Sequence, residues 1–193
     1  MKRSLHFCLI MITALLMAGC QQKFEPTEST IYITSKGTVR SALMESFDKD
    51  YYDFEELSED VKKEVKSYCL DVNEEAITIE SLTQENDTVT LMMNYQTVED
   101  YAAFNEVLLF TGTYEEAAAA GYVPEELYDT EGQIVDMDSE NLNNLKVVVT
   151  EENFCIQTSG KIKYVSNNVS ITDKRLAKSM EAGKNHPAFV LYK

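Results

Sequence analysis

The chain has no tryptophan, and its 193 residues include only two histidines and four cysteines. His6 and two of the cysteines (Cys8, Cys20) fall within the first twenty residues, so the rest carries His186, Cys69 and Cys155 alone. A closed zinc site takes four Cys, His or carboxylate ligands at short spacings. No H-E-x-x-H or C-x-x-C is present to supply them. A nucleophile needs a base beside it, and no G-x-S-x-G accompanies the single imidazole. His186, next to Pro187, reads as a solvated loop residue.

Positive charge is missing from the middle of the chain. No Lys or Arg lies between Lys66 and Lys146, while residues 67–145 carry 18 Asp and Glu. Residues 141–193 reverse the balance, with eight basic residues (Lys146, Lys161, Lys163, Lys174, Arg175, Lys178, Lys184, Lys193). Four acids oppose them: Glu151, Glu152, Asp173 and Glu181. An acidic chain of this kind is unsuited to general nucleic-acid binding, which depends on basic groups neutralising phosphates. It is equally unsuited to an electrostatic grip on anionic lipid.

The N-terminus supplies a different membrane attachment. Met1-Lys2-Arg3-Ser4-Leu5-His6 is a short polar stretch with two basic residues, followed by an apolar run from Phe7 to Met17 broken only by Thr13. A spanning helix needs roughly 20 apolar residues, so the run fits a secretory signal. It ends in Leu16-Met17-Ala18-Gly19-Cys20, which resembles the lipobox of bacterial lipoproteins. Ala18 and Gly19 are small enough to enter a peptidase cleft, and Met17 stands where that family usually has Leu. The resemblance implies a signal peptide over 1–19, cleavage before Cys20, and a diacylglyceryl group on the Cys20 thiol. Two acyl chains, at ~0.8 kcal/mol per buried CH₂, anchor stably.

Cleavage would leave 193 − 19 = 174 residues, enough for one domain with a core. Of the 17 Lys and Arg, Lys2 and Arg3 would be lost, leaving 15 − 33 = −18. Residues 20–29 read as a lipidated tether, polar and containing Pro26. Residues 30–193 read as a single α+β domain. Ile31–Thr34 and Val39–Phe47 form a hairpin about Lys36-Gly37. Asp53, with Glu56 three positions on, caps a helix whose stripe is Phe54, Leu57, Val61, Val65, Tyr68 and Cys69. A second hairpin runs Ala76–Leu82 and Val89–Tyr95, and Thr97 and Asp100 open a second helix. The repeated strand–strand–helix order admits an internal duplication, although two unrelated units fit better.

Leu108–Phe110 reads as a short strand, and Thr113 to Glu116 as a capping box opening a short helix that Gly121 ends. Asp129–Asp138 reads as a small hairpin about Glu131-Gly132. Strands follow at Lys146–Thr150, Phe154–Thr158, Lys161–Val165, Val169–Thr172 and Ala188–Tyr192. This predicts an antiparallel or mixed sheet, two to three helices on one face, and a strand-rich C-terminal third.

Two acidic clusters invite a calcium reading. Asp48-Lys49-Asp50-Tyr51-Tyr52-Asp53 lacks a turn glycine. In Asp129-Thr130-Glu131-Gly132-Gln133-Ile134…Asp138, Leu127 occupies the first ligand position and Asp138 replaces the bidentate Glu, so a plain hairpin turn fits better. No metal or cofactor is expected. Cys69 and Cys155 could form a disulfide in an exported protein, but two buried free thiols behaving as small hydrophobes fit better.

Asn105-Glu106…Phe110-Thr111-Gly112-Thr113 and Lys161…Tyr164-Val165-Ser166…Tyr192-Lys193 resemble small acidic lipoproteins of anaerobic Gram-positive bacteria. That resemblance implies an envelope setting and no catalytic residue. The expected function is a membrane-anchored surface lipoprotein, a non-enzymatic binding or accessory module on the extracytoplasmic face. Its expected partners are the membrane, through lipid, and a cationic protein, through the acidic region. A carboxylate-based envelope hydrolase is the alternative.

Overall fold

The computed structural model describes residues 24–138 and 140–193. The expected signal segment and Cys20 lie outside the described residues. Strands β1 (Thr30–Ile33) and β2 (Val39–Ser46) form the first hairpin, with Gly37 at φ 81° in its turn. Asp53 caps α1 (Phe54–Asp71), its Oδ1 accepting from Glu55 N at 2.8 Å and Glu56 N at 3.1 Å. Those are two of the four N–H groups that a helix start leaves unpaired. The apolar stripe faces inward, with Val65 and Cys69 buried and Leu57, Val61 and Tyr68 half-buried.

The second hairpin joins β3 (Ile77–Glu85) to β4 (Thr88–Tyr95). Val89, Leu91, Met93 and Tyr95 of β4 are buried, and the residues between them are half-buried. Helix α2 (Val98–Asn105) opens on a reciprocal capping box between Thr97 and Asp100. After β5 (Leu109–Thr113), a second box between Thr113 and Glu116 opens α3 (Tyr114–Ala119). The rest is strand-rich: β6 (Tyr128–Asp129), β7 (Lys146–Thr150), β8 (Cys155–Thr158), β9 (Ile162–Val165), β10 (Val169–Asp173), β11 (Leu176–Ser179) and β12 (Ala188–Tyr192).

The class is α+β, with the strands divided between two sheets. The first is seven-stranded in the order β10-β11-β8-β1-β2-β4-β3, and the second five-stranded in the order β5-β7-β12-β9-β6. All pairs are antiparallel except β1 with β8, where Thr30 meets Cys155 and Ile33 meets Thr158. Ile31, Ile33 and Tyr95 of the larger sheet share one core with Val148, Val190 and Tyr192 of the smaller, closed by Val65 and Cys69 of α1. The opposite face of the smaller sheet packs Val147, Val149 and Phe189 under Ala117 of α3 and Leu142. Burial on both faces explains why β7 (KVVVT) and β12 (AFVLY) run apolar without alternation.

Residues 24–29, part of the expected tether, lie against the outer face of the larger sheet. Phe24 is 6% exposed and packs on Tyr32, Ala42 and Met92. Its ring stacks on Tyr32 at 5.9 Å, and the Arg40 guanidinium lies 4.9 Å from its centre. Ser29 Oγ donates to Met44 O and accepts from Met44 N. Glu28 pairs with Lys178 of β11.

No helix among the described residues is long and apolar enough to cross a membrane.

Candidate functional site

The two sheets each end in a short edge strand, β10 in the larger and β6 in the smaller. Where these edges approach, the surface opens into a cleft of about 600 Å³. Its volume lies in the range of small-molecule sites. A shallower depression of about 360 Å³ adjoins it and shares Asp129, Thr130 and Ile171. The cleft thus follows the seam between the two sheets, where residues 133–135 fold back over β6: Asp129 N donates to Gln133 O and Val135 N to Leu127 O, each at 2.9 Å.

One wall is basic, carrying Lys161 and Lys163 beside Lys174 from the β10–β11 turn. Lys161 and Lys163 alternate with buried Ile162, so both lysines are exposed together. Gly160 makes this placement fit. A Cβ there would stand 2.4 Å from the Lys193 carbonyl oxygen, and its absence lets Lys193 pair with Lys161 through N–O contacts of 2.8 and 2.9 Å.

Asp129, Asp136 and Glu140 also line the cleft. Asp129 Oδ1 accepts from Glu131 N at 2.8 Å and Gln133 N at 2.9 Å, holding the tight turn in which Gly132 sits at φ 78°. Glu140 accepts from the Tyr164 hydroxyl at 3.3 Å. Ile134, Ile162 and Ile171 add apolar surface between the walls. Among the described residues, none of the three lysines lies within ion-pair distance of a carboxylate. The cleft therefore mixes both signs of charge, with Glu140 held to Tyr164, the residue after Lys163.

Other residues singled out in the sequence do structural work. Asp129 spends its carboxylate on backbone N–H groups, Asp48 pairs with Lys49 at 3.3 Å, and Asp53 is the α1 cap. No three of His, Cys, Asp and Glu converge as a metal ion requires among the described residues. His186 is exposed, its carbonyl accepting from Asn168 Nδ2 at 3.0 Å.

The acidic run of residues 67–145 is divided rather than gathered. Glu85 and Asp87 sit at the β3–β4 turn on one edge of the larger sheet. Glu115 and Glu116 lie beside β5, at the edge of the smaller sheet opposite β6 and Asp129. Sixteen of the 18 carboxylates are exposed, and one exposed member, Glu80, is neutralised by Arg40 at 2.7 Å.

Cys69 and Cys155 are both buried free thiols. The Cys69 thiol donates to Ile77 O of β3 at 3.5 Å, whereas Cys155 lies in β8, four strand positions away. At about 4.8 Å per strand that is roughly 19 Å. A disulfide needs Cα atoms within about 7 Å, so the fold leaves no route to the bridge. Burial and the Glu28 carboxylate push the Cys155 thiol up to about 11.

Glu152, which no sequence motif marks, holds the most perturbed carboxyl. It sits in the link from β7 to β8, where the chain passes from the smaller sheet to the larger. Burial raises it to about 7, with Glu151 adding repulsion and the Tyr101 hydroxyl partly offsetting both. Glu151 is committed elsewhere, accepting from Leu108 N at 3.0 Å. Lys161 and Lys163 could have been found from their alternation with Ile162; Lys174 and Glu152 carried no signal.

No protein-family model, no curated protein and no solved structure matches the chain.

Proposed function

We propose that the protein is a lipid-anchored surface module at the cell envelope, held through Cys20, which binds a partner without transforming it. The cleft beside β10 and β6 carries this reading, because it gathers Lys161, Lys163 and Lys174, none of them ion-paired among the described residues, around a concave surface of about 600 Å³. A concave site with a few convergent charged groups orients a charged ligand. The lipobox-like Leu16–Cys20 segment supports the anchor. The divided acidic run favours the cleft over a broad acidic face as the place where a partner sits.

The hydrolase reading draws on Glu152, since a carboxyl with a raised pKa beside a second carboxyl is the pattern of an acid–base pair. Here, however, the Glu152 carboxylate faces Tyr101 and Glu151 is occupied by a backbone N–H. Both arrangements serve packing.

Two measurements test the proposal. Cys20→Ala should move the chain from the membrane to the soluble fraction. Affinity capture from envelope extract should recover a partner with the native cleft and lose it with Lys163→Glu. An unmodified N-terminus other than Cys20 in the native protein overturns the anchor. Turnover of a peptidoglycan, glycan, ester or peptide substrate that disappears in Glu152→Gln overturns the binding reading.

A further inference from the structure

We infer that the cleft takes a phosphate monoester carried on an apolar body, its phosphate held among Lys161, Lys163 and Lys174 and its apolar part on Ile134 and Ile171. This rests on the reading of the cleft as a binding site and names the class of ligand.

The backbone brings the three lysines together. Lys161 and Lys163 flank Ile162, the first residue of β9, and Ile162 N donates to Lys174 O at 2.8 Å. That bond fixes the β10–β11 turn beside β9, so cations from two separate segments line one concavity.

Hydrogen-bonding capacity then sets the sign of the ligand. Each ammonium carries three donors, and none of these three lysines lies within ion-pair distance of a carboxylate among the described residues. The acids around the cleft already have donors. Asp129 Oδ1 accepts from Glu131 N and Gln133 N, Asp136 Oδ1 from Asp138 N at 3.2 Å, and Glu140 from the Tyr164 hydroxyl. The capacity left to a ligand is therefore on the donor side, and an oxyanion meets it. The formal net charge of −16 opposes any anion. That wider field is screened over ~8 Å at physiological salt, whereas the ammonium groups act in direct contact.

The number of lysines and the apolar lining narrow the class. A carboxylate has only two oxygens to offer. A phosphate monoester brings three strong acceptor oxygens and about −1.5 to −2 charge near neutrality, which matches three lysines acting as point charges. Bare phosphate would leave Ile134, 67% exposed, and Ile171 without contact. A volume of about 600 Å³ holds an organic group beside the phosphate.

The test is calorimetric titration of the Cys20→Ala chain with phenyl phosphate, inorganic phosphate and benzylammonium chloride. Phenyl phosphate should bind, inorganic phosphate should bind about tenfold more weakly, and benzylammonium should give no heat. Lys163→Gln and Lys174→Gln should each weaken phenyl phosphate about tenfold with the melting temperature kept. Glu140→Gln should tighten it, while Lys184→Gln, outside the cleft, should change nothing. A free phosphate ester and a lipid headgroup share this chemistry. Sedimentation with phosphatidylcholine vesicles containing phosphatidic acid that is lost in Lys163→Gln assigns the lipid source, and any other result assigns the soluble one. Benzylammonium binding as tightly as phenyl phosphate, or no heat from phenyl phosphate at about 10 mM, overturns the ligand class. Inorganic phosphate binding as tightly overturns the apolar body. Should envelope capture still depend on Lys163 when phenyl phosphate does not bind, the binding module stands and only the ligand class falls. If capture is also insensitive to Lys163, the cleft itself is not the site.

Discussion

The Tyr101 hydroxyl donates to the Glu152 carboxylate at 2.9 Å, joining α2 to the link between the two sheets. Tyr101 is 2% exposed and its ring meets Tyr95 edge-on at 4.9 Å, so the donor cannot swing away. Asn105 completes the group, donating to the Tyr101 carbonyl at 2.8 Å and to the Tyr95 hydroxyl at 3.4 Å.

This pair gives stability a pH dependence of definite sign. Glu152 titrates at about 7 when folded, against 4.5 as the ordinary value. A raised folded pKa means that the native state binds its proton more tightly than the unfolded state. The contribution is fully present below pH 4.5 and is lost as pH rises through 7, amounting to roughly 2–3 kcal/mol. Glu152→Gln should therefore flatten the fall in melting temperature between pH 5 and pH 8 and exceed the native protein at the upper end. Tyr101→Phe removes the hydrogen bond that favours the charged form and should move the Glu152 midpoint higher. Parallel melting-temperature curves for the native protein and Glu152→Gln across this range would refute the assignment.

The two capping boxes share a pattern and differ in burial. Asp100 is 8% exposed and accepts from Thr97 N, Thr97 Oγ1 and the Tyr68 hydroxyl, so it also ties α2 to α1. Glu116 is exposed and serves its own helix, accepting from Thr113 N at 2.7 Å. Asp100→Ala should cost about 2 kcal/mol by chemical denaturation, because it removes the common acceptor of three part-buried hydrogen bonds. Glu116→Ala should cost distinctly less. Equal losses would mean that the Tyr68 contact adds nothing.

The thiols offer a direct check on the topology. In native protein at pH 8, Cys69 and Cys155 should resist alkylation, since both are buried and the Cys155 thiol titrates only at about 11. Denaturant without reductant should expose both. A requirement for reductant would mean that β3 and β8 are not four strand positions apart.

Much of this architecture was legible because it is local. The alternation of Val89, Leu91, Met93 and Tyr95, the turn at Lys36-Gly37, and the side chains of Asp53, Thr97 and Thr113 each act within a few residues. Their elements lie where the sequence places them. What was not legible depends on distant partners. Leu176–Ser179 is too short and too mixed to announce β11, and it becomes a strand because β8 and β10 flank it. The parallel pairing of Thr30 with Cys155 joins residues 125 positions apart and divides the strands between two sheets. The cleft inherits that obscurity: it exists only where the edges of those sheets meet. Phe24 was the lone aromatic in an otherwise polar segment, a weak sign that the segment docks.

The docking of Phe24 changes the reach of the molecule. A free tether through Ser29 would let the domain range about 30 Å from its attachment, but four residues from Cys20 to Phe24 span at most ~14 Å. A domain of this size has a radius of gyration of about 15 Å, so with lipid on Cys20 the leash is no longer than the body it holds. The protein would then skim the bilayer at nearly fixed height, with the outer face of the seven-stranded sheet turned toward the headgroups. Lateral diffusion rather than reach would set which neighbours it meets, and partners would be found in the plane of the membrane.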